Sequence, residues 1–249
     1  MLKKIITGTI KGRDKITNDD KIITMRFSFG ECNEEFTLAV LCDGMGGLAR
    51  AKESSEVAAN TFALELITSL TKGFDFSEKD FSLLNYRDRI KSSVINALNK
   101  ANDAVCELSV SGVSNGTTLS AVLLADDYLI AVNIGDSPIL FFSEDNCFYR
   151  TISVSDNVVN TEDEVEKVRL NSFLGKYSKL TEDMYHIFVS EKIDRKKVSG
   201  VMILSDGASD EFLKKYLYDS EELYYYIGNF ENLFAEKSVD DASMIFFEV

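Results

Sequence analysis

Aspartates beside glycines or other acidic residues, at the predicted ends of strands, are the side chains of this chain best suited to chemistry. An aspartate just past a buried strand projects its carboxylate, and an adjacent glycine lets the backbone carbonyl approach the same ion. Such oxygen ligands suit hard cations, for example magnesium or manganese. One Asp-Gly pair is also an ordinary turn, so the inference depends on the combination. The clusters are Asn18-Asp19-Asp20, Asp43-Gly44-Met45-Gly46-Gly47, Asp206-Gly207-Ala208-Ser209-Asp210 and Asp240-Asp241, with Asp136 as a fifth candidate.

The count of histidines excludes several mechanisms, because His186 is the only one in the chain. Zinc sites rich in histidine are impossible, and a Ser-His-Asp or Cys-His centre would need His186 beside a nucleophile. No G-x-S-x-G motif supplies that nucleophile. His186 lies within a predicted strand and is interpreted as a packing or surface residue. The four cysteines lack C-x-x-C spacing and are interpreted as buried free thiols.

The balance of charge disfavours two classes of partner. The 249-residue chain has 41 acidic and 27 basic residues and a formal charge of −14, which argues against nucleic acid or an anionic membrane. No segment approaches the roughly 20 apolar residues of a spanning helix, and the first ten residues are too short and polar for a signal peptide. We expect a cytoplasmic monomer with one domain over residues 1–249, in which the acidic segment 151–170 forms an exposed excursion.

The pattern of apolar residues predicts mixed helices and strands. The order of the predicted elements favours α+β layers with antiparallel sheets over a βαβ winding. A meander is expected over 118–142, because three apolar runs there are separated by turn residues. Strands are predicted at 21–29, 36–42, 118–125, 128–134, 138–142, 184–190, 200–205 and 243–249, and helices within 49–70, 90–105 and 209–232.

The acidic clusters belong to an ordered set of motifs that resembles a known family. The set N-D-D, L-C-D-G-M-G-G, N-G-T-T, N-I-G-D-S, L-S-D-G-A-S-D and V-D-D-A-S-M-I-F-F spans residues 18 to 249. It resembles the PP2C (PPM) family of metal-dependent serine/threonine phosphatases. This resemblance implies an α+β fold, a four-layer α/β/β/α sandwich with two central antiparallel β-sheets.

The resemblance also implies the site and its chemistry. Two or three Mn²⁺ or Mg²⁺ ions are implied, and two of them would activate a bridging hydroxide that attacks phosphorus in line, without a protein nucleophile. Asp19 matches a residue that reaches metal-bound water, and Asp136 and Asp210 match positions that hold a third ion. The implied ligands of the pair of ions are Asp20, Asp43, the carbonyl oxygen of Gly44, Asp206 and Asp240.

Several positions depart from the family pattern. Lys15 stands where relatives often carry a phosphate-gripping arginine, with Arg13 close by, so we expect phosphate contacts from both; as a lysine, Lys15 lacks the bidentate fork. Both could instead be solvated loop charges. Met45 and Pro138 replace a histidine and an arginine that some relatives carry.

Three functions remain open from the sequence. The first is a phosphatase that acts on phosphoserine and phosphothreonine in phosphorylated proteins. The second is a pseudophosphatase or metal-stabilised sensor that binds phosphoproteins without turnover, suggested by Lys15 and by the shortness of the 151–170 excursion. The third is a calcium-stabilised interaction module.

Overall fold

The computed structural model describes most of the chain. The described residues are 4–29, 35–73, 83–109, 114–125, 128–142, 148–151, 157–160, 167–170, 172–190, 198–215, 220–235 and 238–248. Their strands are β1 (Lys4–Ile10), β2 (Lys21–Ser28), β3 (Glu35–Cys42), β4 (Leu119–Ala125), β5 (Tyr128–Ile134), β6 (Ile139–Phe142), β7 (Phe148–Thr151), β8 (Asn157–Asn160), β9 (Lys167–Leu170), β10 (His186–Val189), β11 (Gly200–Leu204) and β12 (Ala242–Glu248). Their helices are α1 (Ala51–Gly73), α2 (Leu83–Glu107), α3 (Asp206–Lys215) and α4 (Ser220–Phe234).

Two five-stranded sheets form the centre of the protein. The first sheet has the order β1-β12-β11-β6-β7 and the second the order β10-β5-β4-β3-β2, and neighbouring strands in both are antiparallel. Strands β8 and β9 form a separate two-stranded sheet. The sheets pack face to face through a shared apolar core, which includes Leu41 and Val122 from the second sheet and Ile203 and Ile245 from the first.

Strand β3 shows why its sequence is a continuous apolar run. Phe36, Leu38 and Val40 face the helices α1 and α2, whereas Ala39 and Leu41 lie in the core between the sheets. A strand that is covered on both faces needs apolar side chains at every position. The same reasoning applies to β4, whose seven residues are all buried.

Helices cover the outer face of each sheet. Helices α1 and α2 pack on one another and on the second sheet, and α3 and α4 pack on the first. The order of layers is therefore α/β/β/α, which confirms the predicted fold class. No helix within the described residues is long and apolar enough to cross a membrane. Of the cysteines, Cys42 is a buried free thiol as predicted, and the free thiol Cys106 is only half-buried.

The predicted meander is wrong for its third strand. Strands β4 and β5 pair as expected, but β6 pairs with β11 in the other sheet. Gly135, just after β5, has a φ of 106°, a conformation that residues other than glycine rarely adopt. The chain turns there and crosses to the first sheet. The carbonyl oxygen of Pro138, just before β6, accepts a hydrogen bond from the N–H of Leu204 in β11 at 3.1 Å.

Two further sequence predictions need correction or extension. The helical stretch predicted at 209–232 contains α3 and α4, and α3 begins three residues earlier than predicted, at Asp206; residues 216–219 lie outside the described residues. The pattern of segment 4–10 did not predict β1, whose burial is mixed along its length. Within 151–170 the structure describes β8 and β9, but the side chains that would test the predicted exposure lie outside the described residues.

Candidate metal centre

The pairing of β2 with β3 brings the first two predicted ligands to one end of the second sheet. Lys21, the first residue of β2, lies opposite Cys42, the last residue of β3. Asp20 directly precedes that pair and Asp43 directly follows it. Two aspartates that are 23 positions apart in the sequence, at 20 and 43, therefore emerge side by side from adjacent strands.

Two more predicted ligands lie at adjacent strand ends of the first sheet. Leu204, at the end of β11, lies opposite Met244 near the start of β12. Asp206 follows the end of β11 as the first residue of α3, and Asp240 precedes the start of β12. The two sheet ends meet, because the N–H of Asp19, next to Asp20, donates a hydrogen bond to Asp241 Oδ2, next to Asp240, at 2.8 Å.

Two threonines hold the backbone at Asp43. The hydroxyl of Thr117 donates to the Asp43 carbonyl oxygen at 2.7 Å, and the N–H of Thr118 donates to the same oxygen at 2.9 Å. In return, the N–H of Asp43 donates to the Thr118 hydroxyl oxygen at 3.0 Å. Both threonines are buried. The N-G-T-T motif thus acts on the site by orienting the residue that lies between the other aspartates.

Gly44 makes room for the loop that carries the first acidic cluster. Its N–H donates to the Asp19 carbonyl oxygen at 3.2 Å. A Cβ at this position would lie 2.6 Å from the carbonyl oxygen of Ala51 and 2.7 Å from that of Asp19. Only glycine permits this close approach, which keeps the start of α1 and the 18–20 segment against the end of β3.

Burial and mutual repulsion raise the pKa values of the clustered carboxyl groups. Burial, followed by the charge of Asp241, raises the pKa of Asp20 to about 7, with nearby serine hydroxyls acting in the opposite direction. Burial raises the pKa of Asp43 well above its usual range, and the charges of Asp20 and Asp206 add to this effect. Asp206 is exposed as a whole, but loss of water around its carboxyl group and the charge of Asp240 raise its pKa. Burial and these neighbouring charges therefore favour the protonated forms of the carboxyl groups, and a bound cation would favour the ionised forms instead.

The donor set fits hard divalent ions. Both carboxylate oxygens of Asp20 are buried and have no hydrogen-bond partner among the described residues. Such orphaned oxygens are costly, and a bound cation would satisfy them. The described part of the chain holds no group of three or more histidine, cysteine or acidic side chains already arranged as a cage. The fit to divalent ions therefore rests on the oxygen chemistry of these carboxylates and on the unpartnered oxygens of Asp20.

The remaining predicted metal residues have different surroundings. Asp136 is half-buried between β5 and β6, close enough for its charge to raise the pKa of Asp43. Asp19 accepts a hydrogen bond from the Thr17 hydroxyl at 2.8 Å. Asp210 belongs to α3, but its side chain lies outside the described residues.

Lys15 lies inside the acidic centre and Arg13 lies at the surface. The Lys15 ammonium donates to Asp241 Oδ2 at 2.9 Å, forms an ion pair with Asp240, and lies 3.9 Å from Asp19 Oδ2. Burial alone would lower the pKa of Lys15, but the hydrogen bonds to Asp240 and Asp241 outweigh it and raise the pKa. The Arg13 guanidinium pairs at 3.2 Å with Asp14, and both side chains are exposed.

Sequence reasoning assigned no role to Asp241, although it recognised the Asp240-Asp241 cluster. The side chain of Asp241 is 1% exposed and accepts three hydrogen bonds. The available signal was its position directly before a continuous apolar strand, which indicates burial at the strand end. Its partners, in contrast, come from a distant part of the chain and left no pattern in the sequence.

A cleft of about 400 Å³ opens beside the acidic centre. Asp19 and Thr17 form one wall, and the opposite wall is the start of α1, including Arg50 and Glu53. The Arg50 guanidinium donates to the Leu108 carbonyl oxygen at 2.9 Å, so that wall is tied to the end of α2.

The fold agrees with comparisons to known proteins. Residues 7–241 match the protein phosphatase 2C family, and the chain belongs to that family. It is therefore classed as an enzyme, a PP2C-type serine/threonine phosphatase. No curated protein sequence matches the chain significantly.

Solved structures share the fold over the whole chain. The serine/threonine phosphatase of S. agalactiae is 19% identical, with a TM-score of 0.67 and 99% of each chain covered. The Mycobacterium tuberculosis serine/threonine phosphatase PstP/Ppp is 20% identical, with a TM-score of 0.66 and 100% and 99% of the two chains covered. RsbX in complex with magnesium is 13% identical, with a TM-score of 0.56 and 100% and 98% covered. At these identities the likeness establishes the fold.

Proposed function

We propose that this phosphatase hydrolyses phosphoserine and phosphothreonine in proteins with the help of two Mn²⁺ or Mg²⁺ ions. The observation that carries the proposal is the buried Asp20 carboxylate, whose oxygens have no partner among the described residues and whose neighbour is the repelled carboxyl group of Asp43. A cluster of this kind is unfavourable without protons or cations. Membership of the PP2C family supports metal dependence and a phosphorylated protein as the substrate.

The proposed ligands are those that the family motifs indicated. Asp43 would hold both ions, together with Asp20 and Asp206, whose charges act on its carboxyl group. Asp240 and the carbonyl oxygen of Gly44 would complete the set. Asp19 would act through metal-bound water, and Asp136 and Asp210 would hold a third ion.

The residues of the chain prepare the site for a phosphate ester. When bound, the divalent ions lower the pKa of water and neutralise charge on the phosphoryl oxygens. Thr117 and Thr118 keep Asp43 in one backbone position, so the arrangement needs little reorganisation during the reaction. Lys15 adds a cation to the same edge. We propose that Lys15, assisted by Arg13, contacts the phosphate, and that the cleft beside Asp19 receives the flanking peptide.

Hydrolysis of p-nitrophenyl phosphate and of a phosphothreonine peptide after exhaustive chelation tests the function. We expect no turnover in EDTA, recovery with Mn²⁺ or Mg²⁺, and loss of turnover in Asp43→Asn and Asp206→Asn. Asp14→Asn is the matched control, because Asp14 is an exposed carboxylate that pairs with Arg13 at the surface. Turnover that survives chelation would contradict the proposal. Manganese binding without any turnover would favour the phosphoprotein-binding alternative.

A further inference from the structure

Asp241 is a buried carboxylate with partners from the opposite end of the chain. Its Oδ1 accepts the N–H of Gly12 at 2.8 Å. Its Oδ2 accepts the N–H of Asp19 at 2.8 Å and the Lys15 ammonium at 2.9 Å. The side chain is 1% exposed, so these groups replace the water that the carboxylate loses on folding.

These hydrogen bonds reach both halves of the acidic centre. Asp19 directly precedes the predicted ligand Asp20, so the hydrogen bond to its N–H fixes the backbone that presents the Asp20 carboxylate. On its own side, Asp241 directly follows Asp240 and donates its N–H to Asp240 Oδ1 at 2.8 Å. One residue therefore determines how the start of β2 and the start of β12 are placed relative to each other.

The backbone of Asp241 also contacts the third segment of the centre. A Cβ on Gly207 would lie 2.1 Å from the Asp241 carbonyl oxygen, which only glycine can accommodate. The Ser243 N–H donates to the Ser205 hydroxyl oxygen at 2.9 Å, and the Ser205 N–H donates to the Ser243 carbonyl oxygen at 3.0 Å. The segment that leads into Asp206 is thus tied to the segment that contains Asp241.

We propose that Asp241 is a positioning residue that places the Asp20 and Asp240 carboxylates for metal binding through its hydrogen bonds to the Gly12 and Asp19 N–H groups. The Lys15 ammonium balances the charge of Asp241. The inference rests on the proposed metal-dependent function and names the residue that orders its ligands. Mutation of residues that hydrogen-bond to metal ligands and orient them typically lowers metal affinity by about 10–100-fold.

Replacing Asp241 with asparagine tests its hydrogen bonds without changing the size of the side chain. Asp241→Asn keeps the size of the side chain but has only one acceptor oxygen. In one orientation its amide nitrogen faces the Asp19 N–H and Lys15, and in the other it faces the Gly12 N–H. A donor then meets a donor, so at least one of the segments must shift.

Isothermal titration with Mn²⁺ at a temperature where all variants are folded measures the effect. We expect Asp241→Asn to bind Mn²⁺ about tenfold or more weakly than the unchanged protein, and the double variant Asp241→Asn with Lys15→Met to remain about as weak. Lys15→Met alone gives the baseline for the double variant, because it removes the cation that pairs with Asp240 and Asp241 and keeps both backbone hydrogen bonds of Asp241. Asp14→Asn serves as the control for removing a carboxylate. Phe230→Ala, in the core between α4 and the first sheet, serves as the control for lost stability.

Three results would overturn the inference. They are unchanged Mn²⁺ affinity in Asp241→Asn, full recovery of affinity when Lys15→Met is added, and an equal loss of affinity in Phe230→Ala. If Asp241→Asn does not fold, Asp241→Glu displaces the same oxygens by one methylene with the charge kept, and the same loss of affinity is expected. If the unchanged protein itself binds no Mn²⁺, the proposed function fails. Binding by the unchanged protein with equal binding by Asp241→Asn rejects the role of Asp241 alone.

Discussion

Replacing Asp20 with asparagine should stabilise the metal-free protein and abolish its metal-dependent activity. The Asp20 oxygens are buried, lack a partner among the described residues, and lie near the charge of Asp241. Asparagine has nearly the same shape and no charge, and its amide can donate to a neighbouring carboxylate. The substitution therefore removes a repulsion from the empty site and a ligand from the loaded one.

The raised pKa of Asp20 sets the size and the pH window of the gain. Its pKa is raised to about 7 in the folded protein, from the ordinary aspartate value of 3.8. Between these values the folded state holds a proton that the unfolded state has lost, so stability falls as pH rises through this window. A shift of about 3 pKa units corresponds to about 4 kcal/mol at most. Neighbouring carboxylates that share the protons reduce our expectation to about 2 kcal/mol above pH 7.

Urea unfolding in EDTA at pH 5 and pH 8, followed by circular dichroism, measures this gain. Asp20→Asn should exceed the unchanged protein by about 2 kcal/mol at pH 8 and by less at pH 5. Asp14→Asn, an exposed carboxylate in the adjacent loop, should change little at either pH. With saturating Mn²⁺, kcat of Asp20→Asn should fall more than about 100-fold, because a ligand matters at least as much as the groups that support it.

The reasoning fails if Asp20→Asn destabilises the chelated protein at pH 8, or if its gain is the same at both pH values. In the first case Asp20 would already be satisfied by its surroundings. In the second case its carboxyl group would titrate normally, as expected of an ordinary turn residue. Full activity of Asp20→Asn with Mn²⁺ would remove Asp20 from the ligands.

Three further changes test other parts of the structure. Thr118→Val removes the acceptor of the Asp43 N–H and should cost about 1–3 kcal/mol in urea unfolding; we also expect kcat for p-nitrophenyl phosphate to fall, and unchanged values of both would contradict the role given to this hydroxyl. Gly207→Ala places a Cβ 2.1 Å from a backbone oxygen and should destabilise by about 2 kcal/mol or more, whereas Gly228→Ala, with nothing within 4 Å, should stabilise α4 by about 0.5–1 kcal/mol. Thermal melts measure both effects. If the Tm of both alanine variants changes in the same direction, the close contact at Gly207 is not the cause of the change in stability. Deleting or exchanging 151–170 should change the relative kcat/KM for phosphoprotein substrates more than hydrolysis of p-nitrophenyl phosphate; equal losses would count against a role of this segment in substrate choice.

The sequence predicted helices and strands correctly where burial on both faces of a strand, or along one stripe of a helix, requires a regular spacing of apolar residues. Strand β3 and helix α1 are examples. The apolar residues of β3 pack against the helix layer, and those of α1 pack against the second sheet. The pattern failed where elements are short or mixed. Strand β1 alternates irregularly between exposed and less exposed residues, and α3 begins at Asp206, before the helical stretch that the pattern predicts.

The sheet to which a strand belongs was not readable from local sequence. Strand β6 is buried on both sides, with Leu140 and Phe142 facing α3 and α4 and Phe141 facing the other sheet. An apolar run of this kind fits either sheet equally well. Its membership was decided by the left-handed backbone at Gly135 and by pairing with β11, which lies about 60 residues farther along the chain.

The sequence by itself determined the chemistry that is available to this protein. It supplies aspartates at strand ends, one histidine and no cysteine pair, and these restrict a metal site to oxygen ligands. Only the tertiary structure decided which carboxylates meet, and that Lys15 lies among them with Asp241 as its buried partner. The physical reason is that residue types are local properties, whereas burial, pKa shifts and hydrogen bonds between positions 12 and 241 exist only after both sheets have packed.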